Sequence, residues 1–521
     1  MSPNPVTLPC LAEENLDLGK DGDTETGDTC LEQGLAKAVL AAENAEYGLA
    51  IADAEGNLVE RLATGSFYTP ADVAEHFWRE YFRFHGVSTS KEAARHLAEV
   101  QFVEPAVGAG MFLFSLLKGL ADLGCSMQEL SSLRFAAADI NDAALAFVSR
   151  QVSQIESRCG LRLSGLTLRR TDFRAFSLSQ HMRLSFVGNP PYVREGTHAT
   201  WRNLYAAFLD RMISVPSDQV SIGLVLPLSI AFSRDYAFLR EKVRRWSHAI
   251  RLANFDNIPD CLFKAGKPGS LNTNKANSQR CSVVFLRNHG PCSMDSTDLQ
   301  RWSKRERSSF LRAMPPYHDI SAYAFDGQFP RPSCDWIMDY LRGSDEADRL
   351  GDLVGQGQFG FAVVPVARNF IGIRDLSSPE VSSPLIFPTE QRMLWALQIL
   401  ASPAFYEYWR TVGDGFHVTR SDIERFPVTR RLLRGCAVHE PRARIIWSRK
   451  DSSLRQKLNS GKEVCSFDFR GQFDYLSEYV SGHDDAGIGE VLPDFPRRAI
   501  QPSFLDFPLP PRSGTEARTL K

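Results

Sequence analysis

Short apolar runs alternate with stretches of helical spacing through the first half of the chain. The strand-length apolar runs cover residues 101–103, 134–138, 166–170, 183–188, 220–226 and 281–286. Apolar positions recur at helical spacing over residues 111–123 and 141–156. Strands that alternate with helices predict an α/β fold with a parallel sheet and right-handed crossovers. In such sheets, ligands bind outside the carboxyl ends of the strands.

A glycine-rich turn follows the first of these strands, in the segment Glu-Pro-Ala-Val-Gly-Ala-Gly-Met-Phe at 104–112. Gly108 and Gly110 would let the backbone approach a ligand closely, although a purely structural turn between strand and helix is the alternative. The spacing is not GxGxxG, so a dinucleotide is not the first expectation. Asp139 ends the next strand, where a carboxylate suits a ribose diol or caps a helix.

The tetrapeptide Asn189-Pro190-Pro191-Tyr192 follows the fourth predicted strand. Two prolines remove two N–H donors, so the local carbonyls can point outward. The Asn189 side chain adds another acceptor, and Tyr192 adds a flat aromatic face. Acceptors beside an aromatic face match a planar substrate that carries an amino group, whereas the alternative is a rigid loop that caps a strand.

The segment Thr69-Pro70-Ala71-Asp72 has a local structural interpretation. Thr69 can cap a helix, Pro70 fits the first helical position, and Asp72 can close a capping-box-like arrangement. This pattern predicts a helix that runs to Phe84.

Composition and charge restrict the function classes. Of 521 residues, 43% are hydrophobic and 23% are charged, as in ordinary globular proteins. The ten cysteines show no CxxC pair, which argues for reduced thiols in the cytoplasm and against a zinc ribbon, so no metal site is expected. No apolar run predicts a membrane span. The net charge is −2, but residues 425–457 hold ten Lys or Arg and two acids, a candidate phosphate-contacting surface whose alternative is a solvated face.

With these motifs in this order, the chain resembles gamma-class DNA adenine-N6 methyltransferases that use S-adenosylmethionine, of the kind found in type I and type II restriction–modification systems. Residues 64–70, Thr-Gly-Ser-Phe-Tyr-Thr-Pro, match the cofactor motif upstream of the glycine turn. Residues 104–112 match the glycine motif with Glu for the usual Asp and Ala for the usual Ser. Residues 189–192 match the NPPY catalytic motif. The resemblance covers about 64–287 and resumes over 393–427, which is similar to the closing segment of target recognition domains.

The resemblance implies a role for each matching residue. The implied catalytic residues are Asn189, Pro190, Pro191 and Tyr192. Tyr192 and Phe263 would pack against the target base. The implied cofactor-binding residues are Tyr68, Thr69, Pro70, Glu104, Ala106, Gly108, Gly110, Asp139, Ile140 and Asp172. The alternative for Phe263 is ordinary core packing, because most of the 34 phenylalanines must be buried.

The resemblance also implies an architecture, a substrate and partners. We expect a Rossmann-like methyltransferase domain over 34–290 and an α+β target recognition region over 291–465. An acidic leader over 1–33 and a C-terminal extension over 466–521 with a proline-rich end would flank them. The substrate would be double-stranded DNA, and a separate restriction endonuclease or defence-system subunit would be a further partner. Three alternatives stay open: methylation of protein glutamine or RNA, a fused nuclease, and an inactive DNA-binding subunit.

Overall fold

The computed structural model describes residues 27–56, 69–176, 183–194, 200–263, 279–321, 327–344, 347–367, 369–378, 383–459 and 462–480. Its largest element is a nine-stranded sheet. The strands are β1 Val100–Glu104, β2 Arg134–Asp139, β3 Leu166–Arg170, β4 Arg183–Gly188, β5 Val220–Pro227, β6 Ala249–Phe255, β7 Cys281–Arg287, β8 Ser293–Gln300 and β9 His318–Asp319. They are ordered β3-β2-β1-β4-β5-β7-β6-β8-β9.

Helices cover both faces of this sheet because side chains alternate along its strands. In β1, Phe102 belongs to one buried cluster and Val103 to the other. The helices of the first half are α1 Gly27–Gly56, α2 Ala71–Phe84, α3 Ser90–Glu99, α4 Met111–Asp122, α5 Met127–Ser131, α6 Asp142–Cys159, α7 Leu204–Ile213, α8 Ser229–Phe232 and α9 Ala237–Trp246. Helices α1, α2, α4 and α6 pack on the face of Phe102, and α7 packs on the opposite face.

The α/β prediction is confirmed for the strands, but the prediction of a parallel sheet is wrong in part. Strands β1 to β5 are mutually parallel, whereas β7 runs antiparallel to β5 and β6. An apolar run indicates that a strand is buried on both faces, but it carries no information about the strand's direction. The sequence pattern also missed β6, which is the second of the two strands that pair with β7.

The sheet extends beyond the predicted boundary at residue 290. Strand β8 pairs with β6, and β9 pairs with β8. The sequence of β8, Ser-Met-Asp-Ser-Thr-Asp-Leu-Gln, has no apolar run, so the pattern does not predict a strand there. Its polar side chains can be buried because they form hydrogen bonds within the sheet. Asn254 of β6, for example, donates to the Ser296 hydroxyl at 3.0 Å. At the other end, the acidic leader lies outside the described residues except for residues 27–33, which begin α1.

The C-terminal half combines helices with a second sheet. The strands of this half are β10 Asp348–Arg349, β11 Phe359–Val363, β12 Ile373–Arg374, β13 Pro384–Phe387, β14 Pro427–Val428, β15 Leu454–Asn459 and β16 Lys462–Phe467. The second sheet has the order β13-β11-β12-β16-β15, and β10 pairs with β14. The helices are α10 Arg307–Arg312, α11 Asp335–Arg342, α12 Glu390–Leu400, α13 Pro403–Val412, α14 Arg420–Glu424, α15 Arg430–Val438 and α16 Glu440–Ser448.

Candidate functional site

The predicted motifs meet where the strand order reverses. Strands β1 and β4 are adjacent and parallel, with Val103 opposite Phe186, while β2 continues on the other side of β1. The connections after β1 and β4 therefore leave the same edge of the sheet in opposite directions. This switch point is where open α/β sheets form a ligand crevice. The glycine-rich turn follows β1, and the Asn-Pro-Pro-Tyr segment follows β4.

The glycine-rich turn is held against the end of β2. Gly108 has φ +52°, and its N–H donates to the Asp139 carboxylate at 2.9 Å. Gly110 has φ +81° and caps the N-terminus of α4 in the left-handed conformation. A Cβ at Gly110 would lie 2.9 Å from the Phe114 ring and 3.0 Å from Val148. The glycine is therefore required by backbone conformation and by space.

Asp139 is part of this turn rather than a helix cap. One carboxylate oxygen accepts the Gly108 N–H, and the other accepts the Asn141 N–H at 2.9 Å. The cap of α6 is Asn141, whose side chain accepts the Ala143 N–H. The helix-cap alternative for Asp139 is therefore wrong. The next residue, Ile140, is 69% exposed, which is unusual for a large apolar side chain.

Asp172 lies beyond the end of β3, close to the turn. The neighbouring Thr171 N–H donates to the Asp139 carbonyl at 3.0 Å. The Asp172 carboxylate accepts the Arg174 N–H at 2.8 Å and pairs with the Arg174 guanidinium at 2.6 Å. Hydrogen bonding by Arg174 lowers the pKa of Asp172, so this acid is charged at neutral pH.

Asn189 contacts the upstream motif directly. Its amide nitrogen Nδ2 lies 3.2 Å from the Thr69 hydroxyl, 120 residues earlier in the chain. Thr69 is buried, and it does not cap α2: the capping position is Pro70, with no side-chain capping bond. The predicted cap is wrong because the hydroxyl is turned towards Asn189. Sequence reasoning assigned Thr69 and Asn189 to separate motifs and did not predict this contact.

Gly188, the last residue of β4, packs against the end of β1 next to Asn189. Its φ is +137°, and a Cβ there would lie 3.3 Å from Cγ of Glu104, the buried last residue of β1. Of the neighbouring predicted residues, Pro190 is buried, and Pro191 and Ala106 are half-buried. Tyr68 lies outside the described residues.

The Tyr192 ring has a fixed orientation. Its hydroxyl donates to the Val225 carbonyl at 2.9 Å, and burial raises its pKa well above the usual range. The Phe263 ring lies 6.4 Å from it, centroid to centroid, at an interplanar angle of 73°. Phe263 is only 2% exposed and belongs to the buried cluster on the Phe102 face. Core packing and contact with Tyr192 therefore both describe Phe263.

The basic segment 425–457 includes α15 and α16 and ends in β15. Arg430, Arg434 and Arg449 are exposed on or beside α15 and α16. In the part of the chain that the structure describes, none of these three has a carboxylate within ion-pair distance. Arg444 differs, because it pairs with Glu390 and Glu440.

The described residues hold neither a membrane-spanning helix nor a cluster of metal ligands. No helix among them is long and apolar enough to cross a membrane. No group of three or more histidine, cysteine or acidic side chains is arranged there to hold a metal ion.

No protein-family model and no curated protein matches the chain. Among solved structures, it is similar to the DrdV–DNA complex, with 14% identity over 52% of this chain and 32% of that chain and a TM-score of 0.39. It is also similar to a nuclease-deletion mutant of the type ISP restriction–modification enzyme LlaGI bound to a DNA substrate mimic, with 13% identity over 58% of this chain and 35% of that chain and a TM-score of 0.39.

A third similar structure is the methyltransferase subunit of a type I restriction–modification system from Streptococcus thermophilus. The identity is 14% over 48% of this chain and 53% of that chain, with a TM-score of 0.33. The chain thus matches about a third of the length of DrdV and of LlaGI, and about half of this subunit.

Proposed function

We propose that the protein transfers a methyl group from S-adenosylmethionine to N6 of an adenine in double-stranded DNA. The observation that carries the proposal is the contact between Asn189 and Thr69 at the switch point, beside the glycine-rich turn. Two segments 120 residues apart, each of which resembles a motif of the adenine methyltransferases, meet through these two side chains. A setting in restriction–modification or phage defence, with a separate endonuclease or defence subunit, is part of the proposal.

The residues at the end of β1 and β2 fit S-adenosylmethionine. Gly108 and Gly110 both have positive φ, and a backbone without a Cβ lets a ligand approach closely. Asp139 uses each oxygen for one N–H, and a carboxylate has about four lone-pair sites, so it can also accept two ribose hydroxyls. The exposed Ile140 offers an apolar contact for an adenine face. The cofactor supplies a methyl group already activated on a sulfonium.

Asn189 and Pro190 would prepare the amine. The lone pair of an adenine N6 is delocalised into the ring, so the nitrogen is a poor nucleophile while it is planar. The Asn189 Oδ1 and the Pro190 carbonyl can each accept one N6–H bond, which favours a pyramidal nitrogen and stabilises the developing positive charge. Since Thr69 accepts from the Asn189 amide nitrogen, the amide oxygen faces away from Thr69.

Tyr192 would hold the base. N6 in a duplex cannot reach a cofactor at the end of the sheet, so the adenine must be flipped out of the helix. The Tyr192 ring is fixed by its bond to the Val225 carbonyl and by the edge of Phe263. A flipped adenine would stack on this ring without the cost of ordering it.

The test is transfer of labelled methyl from S-adenosylmethionine to unmethylated mixed-sequence DNA, with nucleoside mass spectrometry of the product. We expect N6-methyladenine, and Asn189→Ala should lower the rate about 10²–10³-fold, as loss of a transition-state hydrogen bond does. Asn288→Ala is the control, because Asn288 accepts the Val220 N–H at the opposite edge of the sheet. Methyl on RNA or protein alone would move the function to those substrates. No transfer to any of them would contradict the proposal.

The basic surface gives a second, independent test. If Arg430, Arg434 and Arg449 contact DNA phosphates, replacing them by Gln should weaken DNA binding at every sequence. The slope of log affinity against log salt should become less steep by about 0.9 for each phosphate that is no longer neutralised. Arg444→Gln is the matched control, because Glu390 and Glu440 already pair with that guanidinium. An unchanged slope in the triple variant would place DNA elsewhere.

A further inference from the structure

Arg307 is a buried arginine whose five N–H donors are all used. It is 3% exposed at the start of α10. Its Nε and Nη2 donate to the two oxygens of Asp72, at 2.6 and 3.0 Å. Its Nη1 donates to the Asp260 carboxylate at 3.3 Å and to the Cys261 carbonyl at 2.5 Å, and Nη2 also donates to the Leu262 carbonyl at 2.7 Å. A guanidinium has five donors, so none is left over.

The two groups that Arg307 joins each lead to the Asn-Pro-Pro-Tyr segment. Asp72 is in the first turn of α2, three residues after the Thr69 that contacts Asn189. Leu262 precedes Phe263, whose ring lies against Tyr192. Asp72 and Leu262 are far apart in sequence, in separate segments of the chain. Arg307 is therefore a bridge between two segments that contact different residues of the tetrapeptide, Asn189 and Tyr192.

We propose that Arg307 is a positioning residue, which sets the spacing between Thr69 and Phe263 and so fixes the pocket for the target base. The identity of that pocket rests on the proposed function, whereas the mechanical link does not. A misplacement of about 1 Å in such a group can cost ~10²-fold in rate. The bridge thus determines how well Asn189 and Tyr192 are aimed, although Arg307 acts on them only through Asp72 and the 260–262 segment.

The arrangement requires arginine. Lysine would keep the charge, but it has three donors at one point, whereas the fork of the guanidinium reaches Asp72 on one side and two carbonyls on the other. The 260–262 segment has a second contact, because the Trp302 indole N–H donates to Asp260 at 3.0 Å. Removing the Asp72 charge should therefore loosen the 260–262 segment without unfolding it.

The first measurement is hydrogen–deuterium exchange of peptides covering 71–84 and 256–263, in wild-type protein, Arg307→Lys and Asp72→Asn. The Arg307 guanidinium joins Asp72 to the carbonyls of Cys261 and Leu262. Faster exchange over 256–263 in Asp72→Asn would therefore report the link through Arg307. We expect both variants to accelerate exchange in both peptides. Acceleration confined to the substituted segment would overturn the proposal.

The second measurement is steady-state kinetics. Arg307→Lys and Asp72→Asn should lower kcat about tenfold, with little change in the KM for DNA, and Asp72→Glu should recover most of the loss. The matched control is Arg374→Lys, because Arg374 is similarly buried and donates to the Cys465 carbonyl in the second sheet. An equal loss of kcat in the control would reduce the effect to general destabilisation and overturn the positioning role.

The two measurements separate the two proposals. If the wild-type protein transfers no methyl group, the proposed function fails, and the exchange experiment still decides whether Arg307 links the two segments. If the protein is active and the link is absent, only the positioning role fails.

Discussion

The Asn189 amide presents its nitrogen to the Thr69 hydroxyl. An amide has a donor end and an acceptor end, and the Thr69 hydroxyl at 3.2 Å accepts from the donor end. The acceptor end is thereby directed away from Thr69. For a reaction that needs the Asn189 oxygen to accept an N6–H bond, the orientation is as important as the presence of the side chain.

Replacing Thr69 by valine keeps its shape and removes the hydroxyl. A neutral hydrogen bond contributes about 0.5–1.5 kcal/mol, so we expect Thr69→Val to lower the rate of methyl transfer about threefold to tenfold with a small change in stability. Thr69→Ser is the control, since it keeps the hydroxyl. Equal rates for the valine and serine variants would show that Thr69 does not orient Asn189.

At the scale of elements, the turn between β1 and α4 depends on Gly110. Its φ of +81° and the Phe114 ring at 2.9 Å both oppose a side chain. Gly124 has φ +90° with nothing within 4 Å of where a Cβ would stand, so alanine there meets only the backbone cost of about 1–2 kcal/mol. We expect Gly110→Ala to lower the free energy of urea unfolding by about 1–3 kcal/mol more than Gly124→Ala. Equal costs would mean that Phe114 can move aside.

The sequence predicted the elements that carry the site better than it predicted their neighbours. Strands β3 and β4 have the predicted bounds. Strand β4 could be predicted because a strand buried between helices needs a run of apolar side chains. Strand β8 was missed because its polar side chains find partners inside the sheet. The contact of Thr69 with Asn189 was missed because a sequence pattern records local spacing and not which strand ends become neighbours.

A hydrogen-bonded group around the buried His96 packs α2 and α3 against β4. The Tyr81 hydroxyl lies 2.9 Å from His96 Nε2 and 2.8 Å from the Ser185 hydroxyl. Burial, with repulsion from Arg183, lowers the pKa of His96 to about 4. In the unfolded chain its pKa is about 6.5, so the unfolded state takes up a proton first as the pH falls. The stability that His96 contributes is complete above about pH 6.5 and is lost as the pH falls from there towards 4.

We therefore expect the free energy of unfolding to fall across this pH window, by about 3 kcal/mol for His96 alone. His96→Gln, which has no titratable group at this position, should make the dependence shallower. Burial also lowers the pKa values of His76, His85 and His289, so these keep a remaining dependence. His248→Gln is the control, because His248 is exposed. Urea unfolding at several pH values between about 7 and 4 measures the effect. The same pH dependence in wild type and His96→Gln would show that His96 does not contribute to it.

At the scale of the whole molecule, one carboxylate joins the nine-stranded sheet to the C-terminal half. Asp256 follows β6 and is 1% exposed. Arg280 lies before β7, Arg301 follows β8, and Arg410 belongs to α13; their nitrogens lie 2.7, 2.6 and 3.5 Å from its oxygens. Burial alone would raise the pKa of Asp256, but the three arginines lower it to about 2. The carboxylate is therefore charged throughout the physiological range.

Asp256→Asn should destabilise the protein by about 3–5 kcal/mol, because it removes the buried carboxylate that neutralises three partly buried arginines. Asp295→Asn is the matched control: its carboxylate pairs with Arg251 at 3.4 Å but is 22% exposed, against 1% for Asp256, so its loss should cost about 1 kcal/mol or less. Urea unfolding followed by tryptophan fluorescence compares the two. Hydrogen exchange locates the effect in Asp256→Asn. Loss of exchange protection only in peptides of the C-terminal half would show that Asp256 holds this half against the nine-stranded sheet. Equal, small losses in both variants would mean that Arg280, Arg301 and Arg410 find other partners, and the junction would not depend on this carboxylate.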